Sequence, residues 1–296
     1  SAIGFHFQSS LCRNIKGHKV RIGREGPDLN CGSRDAWKLW LCMGDIHMDD
    51  IYMDGVRWDG QNVHGKHLYV VGTEGTNQVY FTYNGMAIER IEPGDKIGMW
   101  KNDSTEIMMT VKKYDLLPPT AEYKKLAYAI FEEPIPEFIS SNTVCNPHSH
   151  TCQYILENSE FENIAGNASL LRNNSSIVRN CSFHHIMYPA VLLGGDLDNE
   201  SVTGRNLLVE GCEFVDCAWV ARNGAKAPVA AGIHKYKDFT IPYIYDMKIF
   251  NNRFVDSNTA IHLIKVDGVE IKGNTFENCN EKVKLDKCLN VDSDVE

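Results

Sequence analysis

Beyond about residue 155, short runs of alternating apolar and polar residues recur, and each run ends in a similar turn. The recurring unit is YILENSEFENI, SIVRNCSFHHI, LLVEGCEFVDC, MKIFNNRFVDS and VEIKGNTFENC, in which Asn or Gly is followed by two residues and then Phe. These phenylalanines, at spacings of 22, 31, 40 and 22 residues, are Phe161, Phe183, Phe214, Phe254 and Phe276. A base period with insertions between short alternating strands is typical of a β solenoid.

The interior of such a solenoid would be filled by the apolar residues of each unit, with parallel strands stacked ~4.8 Å apart. The stretch DIHMDDIYMDG, Asp45–Gly55, has the same form and predicts Tyr52 at the Phe position. An antiparallel sandwich does not predict one repeated turn, and a leucine-rich repeat needs more Leu and another consensus. The chain is therefore predicted to be all-β, a right-handed parallel β-helix.

Residues 66–140 interrupt this rhythm. The segments HLYVVGTEGTNQVYFTYN, AIERIEPGDKIGMWKND and EIMMTVKKYDLL predict strands of a small separate β unit, and EPGDKIGMW predicts a tight turn leading into a strand. The predicted organisation is β-helix coils in 1–65, an inserted β-barrel-like unit in 66–140, and β-helix coils with a C-terminal tail in 141–296.

Composition and charge exclude some classes of partner. The chain of 296 residues has no apolar run of 18 or more, so no membrane span is predicted. Its net charge of -9, without a compensating block of Lys and Arg, argues against a nucleic-acid partner. No signal-peptide pattern is visible at the N-terminus, so the sequence alone leaves the compartment unknown.

The ten cysteines are distributed mainly as interior residues of the repeat. Several lie at or beside the repeated elements NCSF, GCEF and FENC, which favours small stacked core positions over disulfide bridges. Cys145 and Cys152 flank NPHSH, and with His148 and His150 they form an alternative zinc cluster. Because this spacing does not match the paired spacing of common zinc sites, no metal and no cofactor are expected.

The stretch WDGQNVHG, residues 58–65, carries the strongest candidate chemistry. Asp35 and Asp59 are 24 residues apart, about one coil, so stacking predicts that they occupy equivalent places on neighbouring coils. Two close carboxylates repel and acquire different pKa values, which suits an acid and a base. Glycoside hydrolysis uses such a pair. The alternative is that both aspartates cap backbone N–H groups in turns.

Other polar and aromatic residues suit carbohydrate binding. Trp58 offers an aromatic face for a sugar ring, and Asn62 and His64 can hydrogen-bond to hydroxyls; alternatively they cover the solenoid surface or bond within the turn. His148, Arg172 and Arg222 are further candidate hydroxyl partners, each with an ordinary structural alternative. The loop LLGGDLDNESVTG forms either a third acidic cluster or a solvated turn through Asp196, Asp198 and Glu200.

The order RDAW…GDIHMDDIYMDGVRWDGQNVHG, then an insertion containing EPGD, then the N-x-x-F coils, resembles the β-helix α-1,3-galactosidases. That family includes enzymes that remove the terminal galactose of blood-group B antigens. The resemblance covers about residues 12–279, and VLLGGDLDNESVTG echoes a further family element. It implies inverting, metal-independent hydrolysis in a secreted or periplasmic protein. Asp35 and Asp59 match its acids, and Asn62 and His64 match its N-V-H-G residues.

Three departures from the family pattern qualify this resemblance. Trp58 stands where the family has the first acid of its pair, and Gly194 replaces a Glu, although Asp196 keeps the acid that follows. The sequence also starts in what corresponds to the later half of the family's helix. An exposed first coil is then expected to need a cap, for which a second copy or another partner chain is one interpretation.

The sequence therefore predicts a glycoside hydrolase that acts on a terminal α-galactoside or related sugar of a glycan. The alternative is a catalytically inactive β-helix that binds carbohydrate or another partner, because Trp58 and Gly194 replace acids. A third hypothesis, a polysaccharide lyase, requires clustered Lys and Arg near Asp59, and the sequence shows no such cluster.

Overall fold

The structure is a computed structural model that describes residues 4–26, 28–83, 91–101, 105–148, 152–195, 200, 204–233 and 244–295. Throughout these ranges the regular elements are β-strands. Within the same ranges, no helix has the length and apolar character needed to cross a membrane.

Most strands belong to three parallel sheets that the chain visits in turn, once per coil. Sheet 1 consists of β1 (Phe7–Ser10), β4 (Trp37–Trp40), β7 (Gln61–His64), β16 (Ser169–Arg172), β19 (Val191–Leu193), β22 (Val229–Ala231), β25 (Thr259–Ile264) and β28 (Glu281–Asp286). Sheet 2 consists of β2 (Arg13–His18), β5 (Met43–Asp49), β14 (Cys152–Glu157), β17 (Ser175–Arg179), β20 (Gly204–Glu210), β23 (Ile244–Phe250), β26 (Val266–Lys272) and β29 (Leu289–Ser293). Sheet 3 consists of β3 (Arg21–Ile22), β6 (Tyr52–Asp54), β15 (Glu160–Ile164), β18 (Ser182–Ile186), β21 (Glu213–Val215), β24 (Arg253–Val255) and β27 (Thr275–Glu277). The predicted all-β parallel β-helix is confirmed.

The repeated phenylalanines form a continuous ladder inside sheet 3. Phe161, Phe183, Phe214, Phe254 and Phe276 pair in register, with ring centroids 5.0 to 5.4 Å apart. The Asn or Gly three residues earlier has positive φ wherever it occurs, at Asn158, Asn180, Gly211, Asn251 and Gly273. Asn and Gly recur there because they tolerate the left-handed conformation of the turn.

The prediction for the earlier coil was wrong by one residue. Met53, not Tyr52, pairs with Phe161 and fills the core, while Tyr52 pairs with Glu160. The physical reason is the turn, because the left-handed residue of this coil is Asp50, with φ of 55°. Counting three residues from Asp50 gives Met53, so the tyrosine points outward.

The insertion is a closed antiparallel barrel with its own hydrophobic core. Its strands are β8 (Leu68–Glu74), β9 (Gln78–Thr82), β10 (Lys96–Trp100), β11 (Glu106–Leu117), β12 (Leu126–Phe131) and β13 (Val144–Pro147), in the order β10-β11-β12-β9-β8-β13. The barrel leaves the solenoid after β7 and returns to it at β14. Its last strand therefore lies beyond residue 140, where the sequence places the end of the insertion.

All ten cysteines are free thiols. Cys145 is buried in the barrel core and Cys152 in the solenoid core, and burial raises the pKa of both thiols. Each thiol thus fills a hydrophobic core, an environment that disfavours the thiolate needed for zinc. His150, the remaining member of the alternative zinc cluster with His148, lies outside the described residues.

Candidate active site

The candidate site lies on the outer face of sheet 1, where β4, β7 and β16 are neighbours. Leu39, Val63 and Leu171 point into the solenoid core, so the residues on either side of them point outward. Outward positions that are in register carry Lys38, Asn62 and Leu170, and then Trp40, His64 and Arg172. Successive coils therefore bring polar side chains from distant parts of the sequence onto one surface.

Asp35 and Asp59 immediately precede β4 and β7 at equivalent places on neighbouring coils. The N–H of Ala36 donates to the carbonyl of Asp59 at 2.8 Å, and the N–H of Gly60 donates to the carbonyl of Asn167 at 2.8 Å. These bonds continue the ladder of sheet 1 beyond its strands. They stack Asp35, Asp59 and Asn167 on successive coils.

Asp35 is buried without a charged group bonded to it. Its carboxyl is held by the Asn62 amide, whose Nδ2 donates to Oδ2 at 3.4 Å, and Oδ1 has no hydrogen-bond partner among the described residues. Burial, together with the negative charge of Asp59, raises the pKa of Asp35 to about 6. A carboxylic acid in this state can donate a proton near neutral pH.

Asp59 is equally buried but has a cationic partner. Its Oδ1 accepts a hydrogen bond from the backbone N–H of Asn167 at 2.8 Å and another from Nη1 of Arg222 at 2.6 Å. Its Oδ2 has no hydrogen-bond partner in the described part of the chain. The bond from Arg222 is charge-assisted, and Oδ2 is the oxygen of Asp59 that stays available to a ligand.

Trp58 and Tyr188 flank the guanidinium of Arg222. The Arg222 Cζ lies 5.6 Å from the Trp58 ring centroid and 5.7 Å from the Tyr188 ring centroid. The two rings are 6.2 Å apart and meet edge to face, and Trp58 remains 41% exposed. The residue that stands in place of an acid thus supports the arginine that pairs with Asp59.

His64 presents one free ring nitrogen to the site. Its Nδ1 donates to the carbonyl of Gly65 at 2.7 Å. Burial, and after it the positive charge of Lys38, holds the pKa of His64 well below its usual value, so the ring is neutral. Nε2 lies 3.4 Å from Oε1 of Glu200, but the orientation does not make a hydrogen bond. The lone pair on Nε2 can accept a hydroxyl proton.

Glu200 lies in the candidate site. From the sequence it is part of an acidic loop but is not predicted as a site residue. It forms a close ion pair with Arg172, and its Oε1 lies 4.0 Å from Nζ of Lys38. Its backbone carbonyl accepts a hydrogen bond from Nε2 of His67 at 2.8 Å. Asp196, the residue predicted from this loop, lies outside the described residues.

A cluster of cations lies around Trp40, although the sequence shows no clustered Lys and Arg near Asp59. Nζ of Lys38 and Nζ of Lys66 lie 5.2 Å and 5.3 Å from the Trp40 ring centroid. The charges of Arg172 and Asp59 both act on Lys38. The sequence hid this cluster because Lys38, Lys66 and Arg172 are far apart along the chain and only the solenoid stacks them.

His148 lies where the barrel meets the solenoid. Its Nε2 contacts Oε1 of Glu106 at 2.7 Å, and its Nδ1 contacts Nδ2 of Asn174 at 2.7 Å. Arg205 of β20 also donates to Glu106, at 3.0 Å. Both ring nitrogens of His148 are therefore in contact with protein groups, and the residue links the barrel strand β11 to the coils.

No group of three or more His, Cys, Asp or Glu side chains within the described residues is arranged to hold a metal ion. In the site, Arg222 lies beside Asp59, and Lys38 and Arg172 lie beside Glu200.

Comparison with known proteins supports the architecture. A family model described as a right-handed β-helix region matches residues 144–288. A search of curated proteins found no match. The matched region includes the coils after the barrel, with Arg172 and Arg222, but not the coils of Asp35 and Asp59. The match therefore supports a right-handed β-helix family without specifying an activity.

Proposed function

We propose that the protein is a glycoside hydrolase that removes a terminal α-galactoside or a related sugar from a glycan. The observation that carries this proposal is the difference between two stacked carboxyls. Asp35 is buried without a cation bonded to it, whereas Asp59 is bonded to Arg222. When two neighbouring carboxyls lie in such different environments, one is suited to donate a proton and the other to accept one.

In the proposed reaction, Asp35 donates its proton to the glycosidic oxygen as the bond to the leaving group breaks. Asp59 accepts a proton from the attacking water through Oδ2, the oxygen left unbonded by Asn167 and Arg222. Proton transfer by positioned groups of this kind contributes ~10²–10⁴-fold to rate. Two protons therefore move between named atoms, and hydrolysis needs no redox partner.

Substrate contacts are assigned to the polar and aromatic residues around this pair. Asn62 Oδ1 and His64 Nε2 are buried acceptors without a hydrogen-bond partner in the described ranges, which suits sugar hydroxyls as donors. The exposed face of Trp58 suits the apolar face of a ring. Galactose is the sugar implied by the resemblance of the N-V-H-G segment, and the fold alone does not choose it.

The stereochemical outcome rests on the resemblance, which implies inversion. The spacing of neighbouring strands, ~4.8 Å, does not by itself fix the distance between the two carboxyls. That distance is commonly ~6.5–9.5 Å in inverting pairs and ~5–5.5 Å in retaining pairs. Proton NMR of the first sugar released from an α-galactoside distinguishes the outcomes. Release of the β-anomer supports inversion, and initial release of the α-anomer contradicts it.

The activity is tested by measuring galactose released from an oligosaccharide ending in α-1,3-linked galactose. Wild type is expected to release galactose and Asp59→Asn is expected to lose that activity. Asp54→Asn is the matched control, because Asp54 is another buried aspartate bonded to an arginine, Arg24, but lies in sheet 3. Binding of the oligosaccharide without hydrolysis by wild type would instead favour the inactive carbohydrate-binding alternative.

The cluster around Trp40 favours polysaccharide lyase as a second candidate. In a lyase, a base takes the proton from the carbon beside a uronate carboxylate, a carbon–carbon double bond forms, and the bond to the leaving sugar breaks as its oxygen takes up a proton. Cations stabilise the charge that develops on that carboxylate, and Lys38, Lys66 and Arg172 supply them. An ultraviolet-absorbing unsaturated product from a uronic-acid polymer would support the lyase, whereas a saturated product would support hydrolysis.

A further inference from the structure

Lys66 is a buried lysine without a counter-ion in the described part of the chain. Its side chain is among the largest that are fully buried, it is 2% exposed, and its Nζ has no hydrogen-bond partner in these residues. The charges that act on it come from Lys125 and Lys38, both positive. Burial and these charges lower the pKa of Lys66 to about 8, which still leaves the ammonium protonated at neutral pH.

The acid that faces Lys38 and His64, Glu200, forms no ion pair with Lys66 in the described part of the chain. Glu200 is already paired with Arg172 and also faces Lys38 and His64. A buried ammonium without a counter-ion destabilises the folded protein, because the cost of its desolvation is not offset by an opposite charge. An anion from outside the protein would provide the missing charge.

The position of Lys66 connects this deficit to the candidate active site. Lys66 and Lys38 both lie within 5.3 Å of the Trp40 ring centroid, and the His64 ring stacks on the same tryptophan with centroids 5.8 Å apart. Lys38 in turn feels the charges of Asp35 and Asp59. The cation cluster therefore adjoins the acid pair along the outer face of sheet 1.

We propose that Lys66 and Lys38 bind an anionic group, a carboxylate or a sulfate, carried by the glycan that occupies the Asp35–Asp59 site. Both lysines donate to the anion, and Nε2 of His64 accepts from a hydroxyl of the same sugar. The substrate class is thus an acidic glycan. That the ligand is a glycan rests on the proposed function, whereas the binding of an anion by the two lysines does not.

Calorimetric titration with D-galacturonate, D-galactose 6-sulfate and neutral D-galactose tests the proposal without requiring hydrolysis. Wild type is expected to bind at least one charged sugar ~10-fold more tightly than galactose, as a hydrogen bond to a charged group allows. Preference for galacturonate identifies a carboxylate, and preference for the sulfate ester identifies a sulfate. Equal affinity for all three sugars would overturn the inference.

The lysine itself is tested by Lys66→Met, which removes the charge and keeps an apolar chain of similar length. The preference for the charged sugar is expected to disappear, and Lys248→Met, at an exposed lysine paired with Glu270, is expected to retain it. If Lys66→Met does not fold, Lys38→Met decides through the same loss. An unchanged preference in the folded variant would overturn the anion site. An anion preference without hydrolysis would instead overturn the hydrolase alone.

Discussion

Sheet 1 carries two different surfaces on one continuous backbone. On β4, β7 and β16 the outward residues are largely polar, whereas on β19 and β22 they include Leu192 and Ala230. These two residues pack with Leu170, Ala225 and Ile264 into an apolar cluster outside the main core. The ladder is parallel and in register across both regions. The chemistry of the candidate site therefore depends on the outward residues, while the scaffold is common to both.

The glycines show how closely the apolar region is packed. Gly194 occupies the position of His64 and Arg172 one coil further on, with φ of 143°. A Cβ there would lie 1.9 Å from the carbonyl oxygen of Gly232. The Glu of the resembled family at this position therefore does not fit this backbone.

The largest expected effect concerns the polar region. Asp35→Asn and Asp59→Asn are each expected to lower kcat/KM for glycan hydrolysis by ~10²–10⁴-fold. The double variant is expected to be little worse than either single variant, because an acid and a base act as a unit. Initial rates at several substrate concentrations give these values. Losses that multiply in the double variant would show that the two carboxyls act independently.

The apolar region is expected to respond in stability rather than in activity. Leu192→Ala removes a fully buried side chain and should lower the free energy of unfolding by ~2–5 kcal/mol, with kcat unchanged. Urea denaturation measures the first quantity and hydrolysis the second. Leu289→Ala, at a half-exposed leucine, is the control and should leave both unchanged. A drop in kcat without loss of stability would mean that the apolar region contributes to the site.

Asp35, in the polar region, is expected to lower the free energy of unfolding at neutral pH. The pKa of Asp35 is raised from 3.8 to about 6, so the folded protein favours the neutral carboxyl. The stability that this protonation contributes is fully present below pH 3.8 and is lost as the pH rises through about 6. Because a tenfold change in an equilibrium constant corresponds to ~1.4 kcal/mol, Asp35→Asn should stabilise the protein by about 3 kcal/mol at pH 7. Denaturation at pH 7 and pH 3.5 checks the sign. A variant less stable than wild type at pH 7 would contradict it.

The smallest effect is expected at Trp58, which is partly exposed at the edge of the candidate site. Trp58→Ala removes a ring that packs on Arg222, so KM should rise a few-fold, consistent with ~0.5–1 kcal/mol for an exposed cation–π contact. Trp219→Ala, at another exposed tryptophan, is the control. Steady-state kinetics on the same oligosaccharide separates KM from kcat. A loss of kcat as large as that of Asp59→Asn would place Trp58 among the reacting groups.

The periodic part of the molecule was accessible from the sequence because each coil repeats its turn. The Phe ladder and the Asn or Gly turn followed from spacing, although Tyr52 was misplaced where Asp50 rather than an Asn begins the count. Asp35 and Asp59 could be paired by the same logic. Their roles remain proposals.

The non-periodic contacts could not be predicted. Arg222 and Glu200 reach the site from loops of unequal length, and Lys66 lies at the junction with the barrel. Their positions depend on tertiary packing that no spacing in the sequence encodes. His148 shows the same limit, since its partner Glu106 belongs to the inserted barrel.

The most direct test of the central claim is a titration of the Asp35 carboxyl carbon by ¹³C NMR, in wild type and in Asp59→Asn. It requires no substrate and measures the coupling within the proposed pair. Asp35 is predicted to titrate with a pKa of about 6 in wild type and at a lower pH once the charge of Asp59 is removed. A wild-type pKa near the ordinary 3.8, or a raised pKa that Asp59→Asn leaves unchanged, would contradict the account.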